Sequence, residues 1–182
     1  MTDKVNKLLA DVDPAEERAI SRFLLEEAQI LDDWEWAAWL DFWHEDCLYW
    51  APTQLERLQR EIADRISTFG TSAYFEENKT QLKQRVDRLL THMAWGEAPP
   101  SRARHLITNI RVTKAEGDGV YTVKSNFLDY RSNGQRSQDH ITGERTDTIL
   151  RAPDSEWGYL IKERRILFDM STILTKNLSL FY

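Results

Sequence analysis

The sequence predicts an α+β fold in which N-terminal helices cover a strongly curved antiparallel sheet. Two changes along the chain carry that expectation. Before the Pro99-Pro100 pair most apolar residues recur three or four positions apart, with one short strand between, and from Arg102 onward the period changes to two. The segments after Arg102 are long and are separated by strong turn signals. Helices first and strands afterwards place the helices on one face of an antiparallel sheet. Long strands with glycine breaks curl, and a curled sheet closed by helices makes a cone with a cavity.

The first helix opens with Asp13 as N-cap, Pro14 at the first helical position and Glu16 at the third, the pattern of a capping box. Ile20, Phe23, Leu24, Ala28 and Leu31 then follow at helical spacing. A second helix is expected from Trp34 to Trp43, with Trp36, Trp39, Leu40 and Trp43 on one face. Residues 47–52 read as a short strand that Pro52 ends. Leu55, Leu58, Ile62 and Ile66 have helical spacing across residues 54–67. Asn78 and Gln81 form the capping box of a third helix, whose apolar stripe is Leu82, Val86, Leu89, Leu90 and Met93.

Beyond the prolines, Leu106, Ile110 and Val112 mark the first long strand. Gly117-Asp118-Gly119 is a turn, and Val120 to Arg131 is the next strand. Asn133-Gly134 signals a hairpin whose two central positions need positive φ. The third strand runs from about Gln135 to Arg151, with Gly143 as a candidate bulge. Trp157 to Met170 is the fourth. The segment from Ile173 to Tyr182 is apolar.

A chain of 182 residues suits one domain, 1–182, with residues 1–12 as a flexible N-terminal arm. Apolar residues at 41% and charged residues at 30% match an ordinary soluble globular protein. A net charge of −6 repels phosphate and argues against nucleic acid as a partner. No apolar run approaches the length that spans a bilayer, and the first residues lack the apolar stretch of a signal peptide, so the expected compartment is the cytoplasm. Cys47 is the single cysteine, which excludes an intrachain disulfide. It also excludes a Rieske cluster, which needs two Cys and two His, and the usual zinc ligand sets. Seven Trp, seven Phe and six Tyr suit interfaces and ligand pockets, and equally an aromatic core.

The chemistry-bearing residues are sparse. His44-Glu45-Asp46 with a distant His105 or His140 superficially resembles a two-His-one-carboxylate iron site. The favoured reading is a histidine that complements the dipole at a helix end. Cys47 lies in an apolar run, where a thiol pKa rises. There is no Gly-x-Ser-x-Gly elbow and no glycine-rich phosphate loop. Asp46, His105, Asp129 and His140 are the candidates for acid–base work in the cone, against surface or hydrogen-bonding roles. Arg102 and Arg104 flank a strand start. Arg164 and Arg165 are adjacent on the last strand, so at least one faces the covered side. Its partner is Glu144 or Asp147, or a carboxylate on another chain.

Several blocks carry a family resemblance. They are Glu27-Ala28-x-x-Leu31-Asp32, Trp39-Leu40, and Tyr49-x-Ala51-Pro52. The most specific is Pro99-Pro100-Ser101-Arg102-x-Arg104-His105-Leu106-Ile107-Thr108-Asn109-Ile110. Ser125-Asn126-Phe127, Gly143-x-Arg145-x-Asp147, Arg164-Arg165-Ile166-Leu167-x-Asp169 and Asn177-Leu178-Ser179-Leu180-Phe181 follow in order. In order, spacing and near end-to-end coverage the chain resembles the beta subunits of Rieske-type aromatic-ring-hydroxylating dioxygenases, close to the biphenyl and polycyclic-arene branch.

That resemblance implies the cone fold of nuclear transport factor two, also called cystatin-like. It implies a non-catalytic structural subunit without a cofactor, supporting three alpha subunits that hold a Rieske [2Fe-2S] cluster and a mononuclear non-heme iron. The assembly it implies has three alpha and three beta chains, with the beta chains as a trimer. A reductase and often a ferredoxin supply electrons for converting an aromatic hydrocarbon to a cis-dihydrodiol. Trp95, Arg102, Arg104, Arg164, Arg165, Leu178, Phe181 and Tyr182 are the candidate subunit-interface residues. The rivals are a stand-alone acid–base enzyme of the same fold and a small-ligand-binding module.

Overall fold

The computed structural model describes residues 12–56, 58–91, 97, 100–134, 137–175 and 178–182. Trp95, His92, Met93 and the proposed arm before Val12 lie outside the described residues.

Helix α1 spans Pro14–Asp32. Asp13 caps it by accepting the Ala15 N–H at 2.7 Å. The expected capping box does not close. Glu16 turns away to accept from the Tyr159 hydroxyl at 2.9 Å and to pair with Arg151 at 3.3 Å. Its tertiary partners displace the local one. The buried stripe of α1 is Ile20, Phe23, Leu24, Ala28, Ile30 and Leu31, and a charged residue, Glu27, lies within it.

The expected second helix is cut short. Helix α2 is Trp36–Trp39, a 3₁₀ turn covers Leu40–Phe42, and strand β1 already begins at Trp43 and runs to Pro52. His44 therefore sits in a strand and not at a helix end, which removes the dipole argument for it. Only a 3₁₀ stretch, Gln59–Asp64, replaces the helix expected over residues 54–67. A bridge between Gln54 and Ile66 holds the ends of that segment together, and Leu55 and Leu58 are exposed, so no apolar face supports a helix. Strand β2, Ala73–Glu77, was not foreseen. Helix α3, Lys79–Leu90, has the predicted reciprocal capping box of Asn78 and Gln81.

Four long strands follow: β3 (Arg102–Lys114), β4 (Val120–Asn133), β5 (Ser137–Arg151) and β6 (Tyr159–Phe168). The sheet order is β2-β1-β6-β5-β4-β3. All pairings are antiparallel except β1 with β6, so the curved sheet is mixed and not wholly antiparallel. No hairpin links β1 to β6, so no turn fixes their relative direction. The α+β cone is otherwise the predicted one.

Two turn expectations need correction. Asn133 pairs with Ser137, which leaves three loop positions, and only Gly134 among the described ones takes positive φ, at 62°. Gly143 keeps regular register on both sides, opposite Phe127 and Phe168. It is a close-approach glycine and not a bulge, because a Cβ there would lie 2.2 Å from the Leu167 carbonyl oxygen.

The concave face carries the core. Alternate residues of β4, Tyr121, Val123, Phe127, point inward, as do Ile141 and Ile149 of β5 and Ile161 and Ile166 of β6. They meet Trp39, Phe42, Trp43 and the inner stripe of α1. Among the described residues no helix is long and apolar enough to cross a membrane.

Candidate functional site

Charge is buried inside the cone beside its aromatic core. Arg164 is fully buried and grips two carboxylates of its own chain. Its Nε and Nη2 donate to Asp147 at 2.8 and 2.9 Å, and its Nη1 and Nη2 donate to Glu27 at 2.6 and 2.8 Å. Glu27 also accepts from the Trp39 indole at 2.9 Å. Burial opposes charge at Glu27, but Arg164 and then Arg145 outweigh it and hold the carboxyl below its ordinary value. Burial likewise opposes the Arg164 cation, and Asp147 and Glu27 more than offset it. Arg145, 4.0 Å from Glu27, is pulled down by burial and by the like charge of Arg164. Asp147 was one of the two partners expected for an inward arginine; Glu27, from α1, was not foreseen.

A second polar group lies along β3 and β4. Cross-strand register places His105 opposite Asp129. The His105 ring meets Asp32 at 2.7 Å through Nδ1 and the Phe181 carbonyl at 3.0 Å through Nε2. Both partners are acceptors, so the imidazolium, with a proton on each ring nitrogen, is the form that satisfies both contacts. Burial disfavours that charge, yet Asp129, Asp32 and the Phe181 carbonyl together raise the His105 pKa. Burial pushes Asp129 up to about 6, and neither of its oxygens has a hydrogen-bond partner among the described residues.

The last described segment, 178–182, closes this interior. Phe181 stacks on Trp39 with ring centroids 4.0 Å apart. The Arg85 guanidinium lies 4.5 Å from the Phe181 ring and donates to the Leu180 carbonyl at 2.8 Å. The Tyr182 N–H donates to the Tyr49 hydroxyl at 2.7 Å. Phe181 and Tyr182 are each 1% exposed. Three of the residues expected at a subunit surface, Arg164, Phe181 and Tyr182, thus have their side chains inside the chain.

The other described candidates sit outside. Strand β3 is the sheet edge, and Arg102, Arg104 and Leu106 project outward from it. Arg104 and Tyr130 face each other across β3–β4, and Tyr130 faces His140 on β5, with rings 5.2 Å apart. Leu106 pairs with Leu128, and both are exposed. Trp34 stands beside this face, 44% exposed, with φ at 63°. A bulky residue in the left-handed region is strained. Its indole donates to the Ser101 carbonyl at 2.9 Å, which pins the ring against a notch of about 310 Å³ lined by Asp32, Asp33, Arg102 and Arg104. Trp34 was not singled out as an interface residue; a tryptophan directly after Asp32-Asp33 at a helix end was the available signal. Farther along the sheet, Arg165 is half-buried with its guanidinium 5.9 Å from the Trp50 ring, and Leu178 is half-buried.

For chemistry this arrangement provides little. Asp46 and His140 are exposed, His105 has both nitrogens engaged, and Cys47 is a buried thiol raised by burial to about 11. Among the described residues no group of three His, Cys, Asp or Glu could hold a metal ion. The Rieske ligand set does not fit a chain with one cysteine.

The profile of the family described as "Ring hydroxylating beta subunit" matches residues 26–175. The biphenyl 2,3-dioxygenase subunit beta of Rhodococcus jostii (strain RHA1) is 38% identical over 173 residues, covering 95% of this chain and 92% of that one. A benzene 1,2-dioxygenase subunit beta of Pseudomonas putida is 36% identical over the same length, with the same coverage. Among solved structures, naphthalene 1,2-dioxygenase with indole bound in its active site matches with a TM-score of 0.81 at 22% identity, covering 100% of this chain and 93% of that one.

Proposed function

The chain belongs to the ring-hydroxylating beta-subunit family, and we propose that it acts there as a structural subunit with no cofactor of its own. Its partner is a catalytic alpha subunit that holds the Rieske [2Fe-2S] cluster and the mononuclear iron. Three copies of each chain make the assembly, the beta chains forming a trimer, and a reductase with or without a ferredoxin delivers electrons. The reaction adds both atoms of dioxygen to a hydrophobic arene, giving a cis-dihydrodiol, in the cytoplasm.

One observation carries the structural reading. Residues 178–182 and the Arg164 ion pairs fill the cone where an enzyme of this fold needs room for substrate. What remains for function is the outer surface. Trp34, Arg102 and Arg104 with Leu106 and Leu128 form an aromatic, arginine-rich and apolar face of the kind that dominates binding energy at interfaces. Arg165 and Leu178 extend the proposed contact surface, and Trp95 remains a proposed member of it. Residues 1–182 act as one domain, and Val12, the last residue of the expected arm, is instead buried in the core.

Co-expression with the catalytic subunit, followed by sizing and iron analysis, tests the reading. A mixed hexamer that alone contains iron and forms dihydrodiol is the expected result. A lone oligomer that ignores the partner and turns over a small molecule unaided would overturn it.

A further inference from the structure

The segment 178–182 is held differently from the rest of the core. It lies in no strand or helix. Its backbone is fastened by side chains from four elements. Arg85 of α3 donates to the Leu180 carbonyl at 2.8 Å. Tyr49 of β1 accepts the Tyr182 N–H, and Arg164 of β6 reaches the Tyr182 carbonyl at 3.4 Å. His105 of β3 donates to the Phe181 carbonyl. A ladder strand opens only with its sheet, whereas a segment held by side chains can leave while the sheet stays paired.

The space it fills has the character of a ligand chamber. Trp39, Tyr49, Phe75, Phe127 and Phe168 supply aromatic walls around Phe181 and Tyr182. Arg85 and His105 supply donors. Phe181 itself shows what such a chamber accepts: a planar ring between Trp39 and the Arg85 guanidinium, whose N–H donates to the neighbouring Leu180 carbonyl and would serve a ligand's acceptor group.

We propose that residues 178–182 are a releasable plug, latched into the cone by protonated His105, and that the chamber takes a planar aromatic ligand bearing an acceptor group once the latch loses its proton. The charges around His105 define the latch. On α1, Asp32 accepts from Nδ1 and also pairs with Arg104 of β3 at 3.4 Å. On β4, Asp129 lies opposite, and Arg145 of β5 and Arg164 of β6 act on Asp129 in turn. When the ring is neutral, Asp32 and the Phe181 carbonyl compete for one proton, and one acceptor is left without its donor. Losing a bond to a charged group shifts such an equilibrium on the order of tenfold or more. His105 binds its proton more tightly folded than the ordinary 6.5, so the latch is closed below that pH and releases as pH rises through the higher folded value. The filled cone that carries the structural reading is the latched state, and co-expression with sizing tests assembly separately from release.

The test is binding of anilinonaphthalenesulfonate, an aromatic anion, to the full-length chain across pH, with circular dichroism recorded on the same samples. Dye affinity is expected to rise on the order of tenfold through a single transition above pH 6.5, with the sheet signal unchanged. Asp129→Asn removes a charge that supports the imidazolium, so the transition should move down by about one pH unit. His105→Gln and Phe181→Ala should bind dye at every pH. Should both variants fail to fold, histidine-labelled nitrogen NMR of the unaltered chain decides. Two protonated ring nitrogens on His105 below the transition support the latch. A neutral ring there, a pH-independent dye affinity, or dye uptake that coincides with loss of the sheet signal would overturn it.

Discussion

Arg164 and Arg102 stand on the same sheet and act through opposite physics. Arg164 is sealed in the cone, where removal from water costs several kcal/mol and two carboxylates in bidentate geometry offset it. Arg102 is exposed beside Trp34, where its charge is well solvated and contributes almost nothing to folding. The interior arginine holds one chain together, and the exterior one is available to another chain. The same division separates Trp39, which donates to Glu27 in the core, from Trp34, strained and half out in solvent.

The largest effect should come from Arg164→Met. It leaves Glu27 and Asp147 buried without their cation, and chemical denaturation should show a loss of roughly 3–5 kcal/mol. A variant that stayed within 1 kcal/mol, by about that scale, would place Arg164 with the surface arginines and break the comparison. Next comes Gly143→Ala. Its Cβ would meet the Leu167 carbonyl and the Phe127 ring at 2.2 and 2.8 Å, so β5 must move. A loss of about 1–3 kcal/mol and a lower Tm are expected.

Asp129→Asn sharpens the interior side through its sign. Burial raises the folded pKa from 3.8 to about 6, so the folded state binds this proton more tightly than the unfolded chain. Its contribution to stability is complete below pH 3.8 and is lost as pH rises through about 6. The asparagine variant escapes that loss. Thermal unfolding should show its advantage over the parent growing across this window to roughly 1–3 kcal/mol. An advantage that shrinks with rising pH would mean that His105 and Arg145 outweigh burial at this carboxylate. The smallest change in folding is expected for Arg102→Ala, within about 0.5 kcal/mol. Combined with Trp34→Ala, it should weaken association with the catalytic subunit by about tenfold or more while leaving Tm nearly unchanged. Unaltered association would remove this face from the interface.

Much of the fold was legible because it rests on local chemistry. Asn78 and Gln81 cap α3 with groups three residues apart, and the period-two pattern after Arg102 marks β3 to β6 within a few residues. The failures occur where distant groups compete. Glu16 leaves its capping box for Tyr159 and Arg151, and the aromatic face of residues 34–43 divides between a single helical turn and β1. The parallel pairing of β1 with β6 joins segments more than a hundred residues apart, which no local pattern encodes.

The candidate residues divide in the same way. The sequence by itself determined the family, the order of elements, the lack of a Rieske ligand set and the need for an inward arginine partnered by a residue such as Asp147. Those properties follow from residue identity, spacing and strand alternation, which are written along the chain. Only the tertiary structure decided that Glu27 completes the Arg164 site, that His105 bridges Asp32 and the Phe181 carbonyl, and that Phe181 and Tyr182 occupy the cone. It also decided that Arg102 and Trp34 are left outside. Burial and partnership depend on which distant surfaces meet, and the net of desolvation against pairing is set only when they do.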